Sequence, residues 1–138
     1  MAGASEIVVT LPGGRRVEAE LGGHRVRTDQ PRDLGGEDGA PSPFQLFLAS
    51  IATCAGVFVQ GFCARRDLDP SGIRIRMRPA YDPAGVLASA ELDIEVPPGF
   101  PEKYRDALVR VADQCSVKKA IQAQPRFAVR AVAGPAGG

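Results

Sequence analysis

Histidine occurs once in the 138 residues and cysteine three times, with no C-x-x-C pair among them. His24 stands alone, Cys54 and Cys63 lie nine apart, and Cys115 is remote, so the ligand spacings of metal sites are missing and no metal is expected. Clustered positive charge is also lacking. The basic residues fall in scattered pairs (Arg15-Arg16, Arg65-Arg66, Lys118-Lys119) and the net charge is +1, which excludes a nucleic-acid footprint. Gly35-Gly36-Glu37-Asp38-Gly39 has neither the G-x-x-x-x-G-K-S/T nor the G-x-G-x-x-G spacing, and its two acids would repel phosphate, so a connecting loop is expected there and no bound cofactor. Met1–Glu6 has neither a basic start nor an apolar run, so no secretory leader is expected. The reducing cytoplasm is then the expected compartment, where a structural disulfide is disfavoured and a thiol is either a small core residue or a working one.

What is present is an ordinary globular composition, 44% hydrophobic and 24% charged, in a chain whose length suits one domain over 1–138. Glu6–Leu11 is rich in β-branched residues, Gly13-Gly14 breaks it, and Arg15–Leu21 alternates with period two as a returning strand. Gly22-Gly23 makes a second turn before a short strand over His24–Thr28. Residues 29–42 form a loop rich in proline and glycine. Ser42 and Pro43 then give the start signals of a helix that continues without a charge to Ala64. A run of that length could cross a bilayer. Gln45, Gln60, two glycines and the strands' need for a covering layer favour a central core helix instead, with no membrane partner.

Ile73–Arg78 and Ala90–Val96 alternate strictly about the turn Asp82-Pro83-Ala84-Gly85, giving a second hairpin. Phe100–Ala112 has helical spacing, with Tyr104, Leu108, Val111 and Ala112 on one face. Ser116 is placed to cap a short helix over Val117–Ile121. Phe127–Val132 is expected as a last strand and Ala133–Gly138 as a frayed tail. Strands and helices in blocks, without βαβ alternation, indicate an α+β fold with antiparallel sheet.

Cys54 and Cys63 share the long helix, point to opposite faces and lie about 13 Å apart along its axis, too far to bond. Cys115 precedes a helix start and is followed by Lys118 and Lys119, surroundings that favour thiolate. If any pair is redox-active it joins Cys115 to one of the helix cysteines, and spacing leaves open which; the alternative is that all three cysteines are structural. Cys54 sits about three turns into an apolar helix, where desolvation opposes ionisation, so a reactive Cys54 would need a cation from elsewhere; Arg15, Arg16, Arg25 and Arg27 are the donors available.

Gly35-Gly36-Glu37-Asp38, then Pro41-Ser42-Pro43-Phe44-Gln45-Leu46-Phe47 running into Ala52-Thr53-Cys54, and Asp113-Gln114-Cys115-Ser116-Val117-Lys118 downstream, resemble the two cysteine segments of the OsmC/Ohr family of thiol-dependent peroxide reductases. The resemblance spans about Leu11 to Val132. It implies antiparallel sheets around a long central helix in an intertwined homodimer, with two sites at the subunit interface. It also implies that Cys54 is the peroxidatic residue and Cys115 the resolving one, acting on an organic hydroperoxide with an external dithiol as reductant. Two departures stand out. The best-characterised peroxidase branch has a Glu after the helix-start proline, paired with a catalytic Arg; here the position holds Phe44, followed by Gln45. That Arg lies in a Gly-Gly-Arg segment, which Gly13-Gly14-Arg15 matches, with Arg16 as the other counterpart. A non-enzymatic redox-sensing or small-molecule-binding dimer is the alternative expectation. Phe44, Phe47, Phe58 and Phe62 would line a hydrophobic peroxide site or simply pack a core. His24, beside Arg25 on a strand, is expected at the surface rather than as a catalytic base.

Overall fold

Two glycine pairs set the first three strands. Gly13 and Gly14 both hold positive φ, 142° and 61°, as do Gly22 and Gly23, 54° and 80°, conformations that a Cβ disfavours and that tight hairpins require. The computed structural model, which describes residues 6–135, accordingly shows an antiparallel meander β1 (Val8–Gly13), β2 (Arg16–Leu21) and β3 (His24–Thr28). Val9, Ala19 and Val26 stand in register on one face, and Glu20 and Arg25 on the other, where they form an ion pair of 2.9 Å.

The loop after β3 is organised by Asp29. Its carboxylate is 2% exposed and accepts the backbone N–H groups of Gln30, Gly39 and Glu37 at 2.8, 3.1 and 3.3 Å. Those hydrogen bonds, from Gly39 first and then Gln30, hold its carboxyl below the usual carboxylate range. The glycine cluster is thus a connecting loop in which the Glu37 and Gly39 amides go to Asp29 and those of Gly35, Gly36 and Asp38 to backbone carbonyls. Gly36 packs so closely that an added Cβ would lie 2.0 Å from the carbonyl oxygen of Gln30. Backbone cannot yield as a side chain does. Gly36→Ala should therefore lower stability by about 2 kcal/mol or more, read as an earlier midpoint in urea unfolding; an unchanged midpoint would show that this loop does not hold the fold.

Helix α1 (Pro43–Ala64) starts where Ser42 and Pro43 place it. Ser42 Oγ accepts the Gln45 N–H at 3.2 Å while Gln45 Oε1 accepts the Ser42 N–H at 2.9 Å, a reciprocal capping box. Ser50 and Thr53 hydroxyls donate back to the carbonyls of Phe47 and Ala49, which satisfies them inside an apolar helix. Burial follows one stripe, Ile51, Ala55, Val59 and Phe62, at helical spacing. Off that stripe the helix is open, with Val57 64% exposed and Phe44 47%. By length and composition α1 could cross a membrane, although one such helix does not indicate a membrane protein.

Strands β4 (Arg74–Tyr81) and β5 (Leu87–Glu95) pair in a second antiparallel sheet. Ile75, Met77, Leu92 and Ile94 share its half-buried face, while Arg76 pairs with Glu95 and Arg78 with Asp93 and Glu91 on the exposed face. The chain then makes a 3₁₀ turn over Glu102–Tyr104, continues as α2 (Arg105–Ala112) and ends its regular structure with α3 (Ser116–Gln122). Leu108 of α2, 1% exposed, is the most buried large side chain, and such burial stabilises by about 2 kcal/mol.

The fold is α+β, with two small antiparallel sheets and one long helix. Its described residues fall into two compact units: one holds β1–β3, the loop, residues 43–53 and the β4–β5 hairpin; the other holds residues 54–73 and everything from Val96. The strand expected over Phe127–Val132 is absent. That segment belongs to no sheet, with Phe127 84% and Val129 97% exposed, because a strand exists only where a neighbour takes its hydrogen bonds. Of the expected frayed tail, residues 136–138 lie outside the described residues.

Candidate functional site

Two elements of the second unit carry the thiols. Cys54 lies in α1 and is half-buried; Cys115 is the N-cap of α3 and is buried. The sulfurs, about sixty residues apart in the chain, come within hydrogen-bonding reach of one another. This answers the question that spacing left open. Cys115 meets Cys54, and Cys63, fully buried on the same helix with its thiol pushed up by desolvation, is a core residue.

Ser116 Oγ stands 3.5 Å from Cys54 Sγ. The hydrogen bond with this hydroxyl is the largest influence on Cys54, followed by the backbone N–H of Val117, and together they outweigh desolvation and lower the thiol to about 7. Cys54 thus carries more thiolate at neutral pH than an ordinary cysteine. The donors acting on Cys54 here are neutral groups at the start of α3. Cys115 is shifted in the opposite direction, against the expectation of thiolate. Burial pushes its thiol up despite the adjacent helix start, and the Cys54 contact raises it further. Both lysine side chains that follow it have partners of their own. Lys118 pairs with Asp113, and Lys119 Nζ donates to Gln114 Oε1 at 3.1 Å.

Ser116 is the residue that sequence reasoning assigned to another task. It was expected to cap the last helix, but the Cys115 sulfur does so, accepting the Lys118 N–H at 3.3 Å. That leaves the Ser116 hydroxyl for Cys54. The sequence signal was a hydroxyl directly after the second cysteine.

The four candidate arginines belong to the first unit. The Arg15 guanidinium lies beside Gly35, with Nε 3.2 Å from where a Cβ would sit. Arg16 adds to the positive field at Asp29, Arg25 pairs with Glu20, and Arg27 is 3.7 Å from Glu18. Phe44 packs on Phe47 and Tyr81 with centroids at 5.4 and 6.3 Å, and Gln45 is held in the capping box. Phe62 is buried edge-on to Tyr104 at 5.8 Å, with the Arg66 guanidinium 3.7 Å over its ring, and therefore packs a core. Phe58 is half-buried and His24 is exposed. No group of three or more His, Cys, Asp and Glu gathers as a metal site among the described residues.

A family model described as OsmC-like protein matches residues 35–130, a stretch that includes Cys54, Cys115 and the second half of the loop before α1. The chain belongs to the OsmC-like family. Solved structures of similar fold include a provisionally described osmotic-stress-induced and detoxification-response protein of Psychrobacter arcticus, at 21% identity and TM-score 0.74, covering 87% of this chain and 90% of that one. An organic hydroperoxide resistance protein OsmC of Legionella pneumophila shares 24% identity at TM-score 0.56, covering 88% and 92%. One from Elizabethkingia anophelis shares 20% at 0.58, covering 90% and 93%. No curated protein matches. Within this OsmC-like chain, the Cys54 and Cys115 thiols lie together with their pKa values shifted in opposite directions.

Proposed function

We propose that this OsmC-like protein reduces organic hydroperoxides with thiol electrons. The observation carrying this reading is the Cys54–Cys115 contact, in which the more exposed sulfur is acidified and the buried one is not. The Cys54 thiolate attacks the distal oxygen of the peroxide, the O–O bond breaks, and the alkoxide takes a proton from water to leave as alcohol. Cys54 is left as a sulfenic acid. The Cys115 thiol displaces its hydroxyl as water, forming a disulfide that an external dithiol reduces, with no bound cofactor. Similarity to proteins described as organic hydroperoxide resistance proteins supports this substrate class.

In this reading Arg15, or a neighbouring early-strand arginine, assists at the thiolate during attack, and the protein works in the cytoplasm as an intertwined homodimer. The exposed apolar side chains of Val8, Val9 and Leu11 on β1 and of Phe127, Val129 and Val132 near the end support a second chain as their cover. A rival reading as a redox-sensing or small-molecule-binding dimer draws on Phe44 and Gln45, which supply no carboxylate next to the helix start.

Steady-state consumption of cumene hydroperoxide with excess dithiothreitol separates the two. An enzyme consumes many equivalents per chain; consumption that stops at one equivalent overturns the peroxidase reading.

A further inference from the structure

Cys115 and Ser116 are consecutive, and both side chains reach Cys54. The Cys115 sulfur is held by the Lys118 N–H at 3.3 Å, as the cap of α3, while the Ser116 oxygen is 3.5 Å from the Cys54 sulfur. A hydroxyl has a single proton to donate. A thiolate has none, so once Cys54 ionises, the hydrogen bond can run only from Ser116 to the sulfur. Ser116 is exposed, so the hydroxyl sits at the solvent side of the pair. Its attachment to Cys115 fixes it against Cys54 whenever the two cysteines are aligned.

We propose that Ser116 is a functional member of the thiol site: its hydroxyl donates to the Cys54 thiolate and keeps that sulfur, rather than Cys115, as the attacking nucleophile. The role rests on the peroxidase reading for its place in turnover, but the contact between hydroxyl and thiolate does not. A purely structural serine in the first turn of a helix would make a different prediction, since alanine is the better helix former and replacing the hydroxyl would leave thiol ionisation unchanged.

The test is the pH profile of Cys54 alkylation by iodoacetamide, followed by mass spectrometry of the Cys54 peptide in the wild-type protein, Ser116→Ala and Ser116→Thr. Ser116→Ala should move the midpoint up by about one pH unit, the effect of losing one hydrogen bond to a charged group. Ser116→Thr, which keeps the hydroxyl, should stay near wild type, and urea unfolding of both variants should match wild type. Given peroxide turnover, single-turnover oxidation of Ser116→Ala should be about tenfold slower at pH 6.5 and recover at pH 9. An unchanged midpoint in Ser116→Ala, or equal shifts in both variants, overturns the role of Ser116. Because alkylation involves no peroxide, a wild-type protein that fails to turn over rejects the function proposed above, while the midpoints still judge Ser116.

Discussion

Replacing Cys54 with serine is expected to abolish peroxide consumption, with a loss of at least about a hundredfold, because a serine hydroxyl is not ionised near neutrality and forms no sulfenic acid. Cys115→Ser should behave differently. Its Cys54 can still take the first oxidation, so a burst of one peroxide per chain remains. Without the second thiol the sulfenic acid persists, and repeated exposure carries it to the sulfinic state, so activity decays with each cycle. Cys63→Ala should leave turnover in place, since that sulfur is fully buried and away from the pair. The comparison is made on steady-state rates together with intact mass after peroxide. A Cys54→Ser protein that keeps the wild-type rate, or a Cys63→Ala protein that loses it, would move the chemistry to another sulfur.

Selective alkylation carries the next largest effect. At pH 7 Cys54, with its pKa lowered to about 7, is substantially ionised, whereas Cys115 is shifted the other way and Cys63 is desolvated. Iodoacetamide should therefore label Cys54 at least about tenfold faster than Cys115, with Cys63 unlabelled until the protein unfolds. The direction with pH follows from deprotonation. Labelling of Cys54 should rise about tenfold per unit as pH increases towards 7 and level off above it. Peptide mapping after timed alkylation checks both. A midpoint near that of an ordinary thiol, or Cys115 reacting first, would contradict the assignment of roles.

Much of this arrangement was legible from residue order, and what was not has identifiable causes. Gly22-Gly23 and the run His24–Thr28 gave strand β3 because turn chemistry is local. Ser42 and Pro43 gave the start of α1 for the same reason, and the capping box with Gln45 shows why that start holds. Phe127–Val132 carries the β-branched and aromatic residues of a strand, but pairing is supplied by another strand and not by the segment itself. Asp29 gave no local sign of its importance, since its three amide partners are gathered only when the loop closes.

The thiol site divides in the same manner. The sequence offered a pair made of Cys115 and a helix cysteine; folding selected Cys54. It could not give the ionisation of either sulfur. The helix start beside Cys115 argued for acidity, yet burial outweighs the Lys118 and Val117 amides there, while the Ser116 hydroxyl and the Val117 amide lower Cys54. Ser116 was read as a cap by residue type because a sulfur is not counted among the usual capping groups.

The most direct test is peptide mass spectrometry of protein treated with one equivalent of organic hydroperoxide and digested without reductant. The predicted result is a Cys54–Cys115 disulfide within a single chain, reversed by dithiothreitol, with Cys63 still a free thiol. Two unlinked cysteines after the peroxide has been consumed, or a bridge that uses Cys63, would contradict it.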